Sequence, residues 1–227
     1  MAISQSKRAA AATLGDIAIG VRGYRIRDLE KAEQRRGEIL RGAARAFAHG
    51  GYDATNMDQI ARECGLAKGH IYHYFRSKEE IFIEIKVDAL TREIARLTPI
   101  ARDSDNDPEL ALREAISGLI TRFLRKEERY EPLMPGPPSL GPENRKRLRS
   151  LSRRIEQIFA SILASGMSRK VFVSGDPKLM TYVILRAANS VVDWYRESGN
   201  WKLEWIAERV TDQLLRGVLR KGRRDHA

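Results

Sequence analysis

The sequence predicts an all-α chain with a small N-terminal three-helix head and a larger C-terminal helical body. Three observations carry this reading. Apolar residues recur at three- and four-residue spacing along most of the chain, from Ile39, Leu40, Ala43, Ala44 and Phe47 to Leu203, Ile206, Val210 and Leu214. Cap signals punctuate the segments: Asn56 with Gln59 and Ser77 with Glu80 have capping-box spacing, and Asp107-Pro108 and Asp176-Pro177 place a cap before proline at the first helical position. Gly50-Gly51 and Gly65 supply the left-handed residues that end short helices.

The bulk properties fit a globular protein. The chain has 227 residues, 42% hydrophobic and 31% charged, enough for one large domain or a small head on a larger body. No uncharged apolar run approaches the roughly 18 residues of a membrane span, so no membrane partner is expected. Asp16 interrupts the Ala-rich stretch after Lys7 and Arg8, which argues against an export signal. A single cysteine, Cys64, excludes an intramolecular disulfide framework, offers no metal cluster and fits a reducing cytoplasm.

The net charge of +11 is concentrated in two places: residues 1–78 hold 14 Lys or Arg against 8 Asp or Glu, residues 143–154 hold 6 against 1, and the remainder sums to zero. Concentrated positive charge suits a polyanionic partner; a solvated face is the plainer account of the second cluster.

Residues 1–30 lack a sustained period and carry Arg22, Arg25 and Arg27, the composition of a flexible basic arm. A head over 31–78 follows. Its first helix runs from about Lys31 to Gly50; its second is capped by Asn56, carries Met57, Ile60, Ala61 and Cys64, and stops at Gly65. Leu66 and Ala67 make the turn, and a third helix starts around Lys68 with Ile71 and Phe75 facing inward. Two short helices joined by a tight glycine turn are the helix-turn-helix plan of DNA-binding proteins.

The outward face of the third helix points to a partner. At 100° per residue, Gly69 and His73 lie opposite Ile71 and Phe75, flanked by His70 and Tyr72. A merely solvated face is better served by Lys, Glu and Ala, which have higher helix propensity. Glycine lets a backbone or base edge come close, and His and Tyr hydrogen-bond and stack. Tyr74 is also compatible with the core. His70 and His73 lack a nearby third ligand, so no metal site is expected. Lys78 stands in the first turn of the fourth helix, where the helix dipole disfavours a cation; local stability gives no reason for it, and a phosphate clamp does.

The stretches Ala54-Thr55-Asn56-Met57-Asp58-Gln59-Ile60-Ala61, Gly65-Leu66-Ala67-Lys68-Gly69, Ile71-Tyr72-His73-Tyr74-Phe75 and Ser77-Lys78-Glu79-Glu80 resemble the DNA-binding head of the TetR family of bacterial repressors, over roughly residues 33–82. The resemblance implies a dimeric, effector-released repressor of a palindromic double-stranded DNA operator. It places Asn56, Lys68, Tyr72, Tyr74 and Lys78 at phosphates and Gly69, His70 and His73 nearest the bases. Two positions depart from the family pattern: Ala67, where a capping Ser or Thr is common, and His70, where a small residue is common.

The body, residues 79–220, is expected to bind a small effector and to dimerise, with a basic tail over 221–227. Helix four carries Ile83, Val87, Leu90, Ile94 and Leu97 on one stripe and Ile81 with Ile85 on another, a lever between head and body whose shift on effector binding would release DNA. The next helix carries Leu112, Ile116, Leu119, Ile120 and Phe123. Residues 131–142 hold five of the eight prolines and read as a loop or broken helix near a pocket. A long helix then runs from Glu143 to near Gly166. The last two helices, with Leu179, Val183, Ala187, Val191 and Trp194 and then a start near Trp201, are the expected dimer seam by family resemblance.

Val192-Asp193-Trp194-Tyr195-Arg196 and Leu215-Arg216-Gly217-Val218-Leu219 are similar to a TetR subgroup that controls fatty-acid, sterol or aromatic-acid catabolism and senses acyl-CoA thioesters. Lys170 stands where that subgroup commonly has glycine. The resemblance implies an acyl-CoA effector and no cofactor; the Arg145, Arg149 and Arg153 stripe would then either meet coenzyme A phosphates or be a solvated face, and Phe123, Trp194 and Tyr195 are either pocket or core residues. The alternatives are a ligand-independent DNA binder, which needs no large apolar body, and a CoA-handling enzyme, for which phosphate loop, nucleophile elbow and zinc ligands are all missing.

Overall fold

The computed structural model describes residues 26–124, 140–196 and 198–220. Among them are eight helices: α1 (Ile26–Gly50), α2 (Met57–Glu63), α3 (Lys68–Tyr74), α4 (Lys78–Asp103), α5 (Pro108–Leu124), α6 (Pro142–Ser168), α7 (Pro177–Trp194) and α8 (Leu203–Val218). The expected arm up to residue 25, most of the proline-rich stretch and the tail over 221–227 lie outside the described residues. Helix α1 is already formed at Ile26, five residues before its expected start.

The chain divides within α1 into two compact units, one ending at Glu38 and the other beginning at Ile39. In the first, Arg35 pairs with Glu38 at 2.7 Å. The second holds two apolar clusters. The head cluster gathers Ile39, Ala43, Phe47, Met57, Ile60, Ile71 and Phe75 with Ile81, Phe82, Ile83 and Ile85 of α4. The body cluster joins Leu97 of α4 to α5, α6, α7 and α8 through Leu112, Ile116, Ile120, Phe159, Ile162, Ile184, Val191 and Leu215.

Helix α4 therefore divides its apolar residues along its length. The two stripes expected around it do not describe the packing: Ile83 joins Ile81 and Ile85 in the head, while Leu90, Ile94 and Leu97 belong to the body. At 26 residues the helix is about 39 Å long, too long to lie against one small core. Helix α6 lies beside α4 in the same direction. Asn144 meets Glu79 near their starts, and Ser165 Oγ donates to Asp105 Oδ1 (2.7 Å) just beyond the end of α4.

Between α4 and α5 a buried ion triad crosses the body. Glu93 accepts from Arg96 (2.6 Å) and from Arg122 of α5 (2.7 Å). The guanidiniums continue to backbone carbonyls, Arg122 to Ala89 (2.9 Å) and Arg96 to Ala115 (3.0 Å). Arg96 passes so close to Gly118 that a Cβ there would collide with it.

The end of α6 explains two glycine positions noted in the sequence. Gly166 lies inside the helix, not at its end, and a Cβ on it would enter the Phe172 ring, which is buried. Lys170 adopts φ +57°, the left-handed conformation that favours glycine. Its N–H bonds Met167 O (3.0 Å) and the Val171 N–H bonds Gly166 O (2.8 Å), the paired reverse bonds of a Schellman cap. Phe172 then pairs with Leu219, closing the last turn of α8 onto this corner.

Lys170→Gly is therefore expected to stabilise the fold by about 0.5–1 kcal/mol, and Gly166→Ala to destabilise it by about 1–3 kcal/mol through overpacking. Chemical denaturation of both variants checks this; opposite signs would refute the account of the corner.

Candidate nucleic-acid interface

The helix-turn-helix is built from short local rules. Asn56 Oδ1 accepts from the Gln59 N–H (2.9 Å) and Gln59 Oε1 accepts from the Asn56 N–H (2.8 Å), so the first capping box is complete. The second is half formed. Ser77 Oγ accepts from the Glu80 N–H (3.1 Å), but the Glu80 carboxylate accepts from the Arg76 N–H (2.7 Å), one residue earlier than a capping box requires. Gly65, at φ +64°, makes the turn between α2 and α3. Ala67 is the N-cap of α3 and provides no side-chain bond.

Helix α3 turns one face inward and leaves the other bare. Ile71 and Phe75 are buried in the head cluster, whereas Gly69, His70, Tyr72 and His73 are exposed, Tyr72 by 48%. Tyr74 is half-buried against the same cluster, its ring edge-on to His73 at 5.2 Å. A Cβ built on Gly69 would meet nothing within 4 Å. Packing inside the chain therefore gives no reason for glycine there, and helix propensity disfavours it by about 1 kcal/mol against alanine.

Both lysines among the expected phosphate ligands have partners within the head. Lys68 Nζ lies 2.9 Å from Asp58 Oδ2, tying α3 to α2, and this bond raises its pKa above the ordinary lysine value. Lys78 Nζ donates to the carbonyls of Tyr52 (3.0 Å), Asp53 (3.1 Å) and Thr55 (3.0 Å) and stands 4.6 Å from the Tyr52 ring centre. An ammonium has three donors, and all three are taken. The expectation that local stability gives no reason for Lys78 is thus corrected: the side chain turns back from α4 to hold the loop between α1 and α2, a fold-back that spacing along the chain could not reveal. Asn56 closes that loop, exposed, with its amide nitrogen still available.

The other expected sites lie in the body. Arg145 Nη2 donates to Leu140 O (2.9 Å), and Arg149 and Arg153 stand on the exposed side of α6. An open groove of about 450 Å³ between α4 and α6 is lined by Lys146, Arg147, Val87, Thr91 and Leu151, so the basic residues at the groove are neighbours of those expected. Trp194 is exposed and packs edge-on to Trp201 at 6.5 Å, which in turn stacks on Trp205 at 5.9 Å. The side chain of Phe123 lies outside the described residues. Helix α7 has two apolar faces: Ile184, Ala188 and Val191 enter the core, while Leu179 (60%), Tyr182 and Val183 (59%) face outward. Sequence reasoning missed the Glu93 triad, because Arg122 is 29 residues away, and the seating of Leu140 in the head cluster.

Among the described residues no helix is long and apolar enough to cross a membrane, and no group of three His, Cys, Asp or Glu is placed to hold a metal ion.

The comparisons with known proteins agree with this arrangement. The model of bacterial regulatory proteins of the tetR family matches residues 39–85, and that of the tetracyclin repressor-like C-terminal domain matches residues 105–218. The HTH-type transcriptional repressor KstR2 of Mycobacterium tuberculosis is 26% identical over 199 residues, 85% of this chain and 96% of that protein. The crystal structure of PfmR, a TetR family transcriptional regulator from Thermus thermophilus, has a TM-score of 0.68 and is 33% identical, covering 82% of this chain and 97% of that one. AibR, crystallised with isovaleryl coenzyme A and operator DNA, shares the fold at a TM-score of 0.62 and 18% identity, covering 82% and 98%. With matched family models at both ends and a relative alike over most of its length, the chain belongs to the TetR family of bacterial transcriptional regulators, which are DNA-binding transcription factors and not enzymes.

Proposed function

We propose that this protein is a repressor that binds a palindromic operator as a homodimer and is released by a small effector of the acyl-CoA thioester class. The observation that carries the DNA reading is the outward face of α3, where a glycine without a packing role stands among His70, Tyr72 and His73. In this reading Gly69, His70 and His73 approach base edges. Asn56, Lys68, Tyr72 and the half-buried Tyr74 bind phosphates, Lys68 exchanging Asp58 for a phosphate oxygen. Lys78 is a positioning residue that acts through the loop ending at Asn56. Homodimerisation is supported by the outward apolar face of α7 and the three clustered tryptophans. Two-fold symmetry would set two α3 helices about 34 Å apart, one DNA turn.

The ligand class is taken from AibR, whose structure holds isovaleryl coenzyme A together with operator DNA, while release of DNA by the ligand is drawn from the family resemblance. Release requires only that the effector favour one setting of α4, with a coupling of about 1–3 kcal/mol.

Three outcomes test this. DNA enriched by the protein from a random library should be palindromic and bound roughly 10³-fold more tightly than its scrambled form at physiological salt. A saturating member of an acyl-CoA panel that includes isovaleryl coenzyme A should weaken that binding about 5- to 150-fold. Equal binding to both DNAs sinks the operator reading, and indifference to the whole panel sinks the effector class.

His73→Ala should change the bases enriched. Lys78→Met should lower fold stability by about 2 kcal/mol and weaken binding to all sequences while leaving the salt slope unaltered. A slope reduced by about 1 with stability intact would instead put Lys78 on a phosphate.

The double variant Tyr182→Glu/Val183→Glu should sediment as a monomer and lose operator affinity, with helical content preserved. A dimer of unchanged strength would remove α7 from the seam.

A further inference from the structure

We propose that the basic face at the start of α6 is a second DNA-backbone surface, which receives phosphates flanking the bases read by α3. Residues 143–154 hold six Lys or Arg and one acid. At 100° per residue, Lys146, Arg149 and Arg153 stand at the middle of the exposed arc, with Arg147 and Arg154 at one edge and Arg145 at the other.

Among the described residues most of this charge is not neutralised. Arg35, Arg45, Arg92 and Arg113 are each paired with a carboxylate, but among the described residues none of Lys146, Arg147, Arg149, Arg153 and Arg154 has an acidic partner. Cations four residues apart repel along a helix, as Arg149 and Arg153 do, and Arg145 to Arg147 crowd the end where the dipole disfavours positive charge. An arrangement that is unfavourable in isolation becomes favourable against a polyanion.

Its place in the fold selects the polyanion. Leu140, just before α6, is buried in the head cluster. The Gly141 N–H and Asn144 Nδ2 both donate to Glu79 Oε1, at 3.3 and 2.9 Å, and Glu79 follows Lys78 at the head of α4. The patch therefore begins beside the start of α4, where α6 is anchored to the head that carries the helix-turn-helix. The far end of α6, beside Asp105, lacks such a cluster. Small-molecule phosphate is the competing source, since Lys146 and Arg147 also line the groove beside α4.

The proposal rests on the operator reading for its central site, and the test separates the two. The full chain and its variant Lys146→Gln/Arg149→Gln/Arg153→Gln are titrated, over a salt series, with the enriched operator trimmed to its palindrome and with the same duplex extended by about ten arbitrary base pairs at each end. The wild type should gain about tenfold in affinity on extension, with a salt slope steeper by about 2, near 0.9 for each added phosphate. The variant, with an unaltered melting curve, should bind both duplexes as the wild type binds the trimmed one. No gain in the wild type, a gain retained by the variant, or an equal loss on both duplexes overturns the proposal. So does a variant that keeps the gain but no longer answers coenzyme A or isovaleryl coenzyme A, which would give the patch to a small-molecule phosphate. If no palindrome is enriched, the operator reading fails alone, and the flank contribution is still read as the slope difference on an arbitrary duplex of about 40 base pairs.

Discussion

Helix α4 is committed to two cores at once, and most of the architecture follows from that. Its first two turns bury Ile81, Phe82, Ile83 and Ile85 in the head, while Leu97 near its far end is fully buried in the body. Between them Glu93 is 4% exposed and held by two guanidiniums. A buried carboxylate is tolerated only when such partners are in place, and removing one partner typically costs about 3–5 kcal/mol. Gly118 exists to let Arg96 through, and Arg122 reaches back to a carbonyl of α4 itself. A helix tied this way does not slide by small degrees. A displacement of α4 relative to α5 must exchange one set of charged bonds for another, as a switch between two settings requires.

The same economy governs the head. A cation in the first turn of α4 opposes the dipole by a few tenths of a kcal/mol, but three charge-assisted bonds from Lys78 to the loop between α1 and α2 outweigh that several times over. The loop, α2 and α3 are thereby referenced to the start of α4. Arg45 with Glu63 and Lys68 with Asp58 add the lateral ties from α1 to α2 and from α2 to α3. A change in the direction of α4 is thus felt at Asn56 as well as at α3.

Local features were the legible part of the sequence. The Asn56–Gln59 box, the glycine turn at Gly65 and the proline starts of α5 and α7 depend on neighbours within four residues, and each stands where its spacing put it. The outward face of α3 followed from periodicity alone. Illegible were features that depend on distant partners: the three carbonyls around Lys78, the Glu93–Arg122 pair and the seating of Leu140 in the head. Periodicity also failed to say which face of α7 is inward, because both are apolar; Leu179 and Val183 proved outward and Ile184 and Ala188 inward. Lys170 was visible only as a departure from a pattern. Its positive φ supplies the reason glycine is common there.

Among the described residues, α4 and α6 join head and body. Helix α4 passes from one core to the other, and α6 plants Leu140 in the head and brings Gly141 and Asn144 to Glu79. Because α4 and α6 run in the same direction, a body rearrangement that slid one past the other would break the Glu79 bonds and draw Leu140 out of the head. One that moved them together would tilt the head as a unit. The second motion keeps the Glu79 bonds and the burial of Leu140, so in the proposed dimer it would be the lower-energy response to an effector and would change the spacing of the two α3 helices without unfolding either. In a dimer that reads a palindrome, altered spacing alone is enough to lose the operator, because both half-sites must be met within one DNA turn.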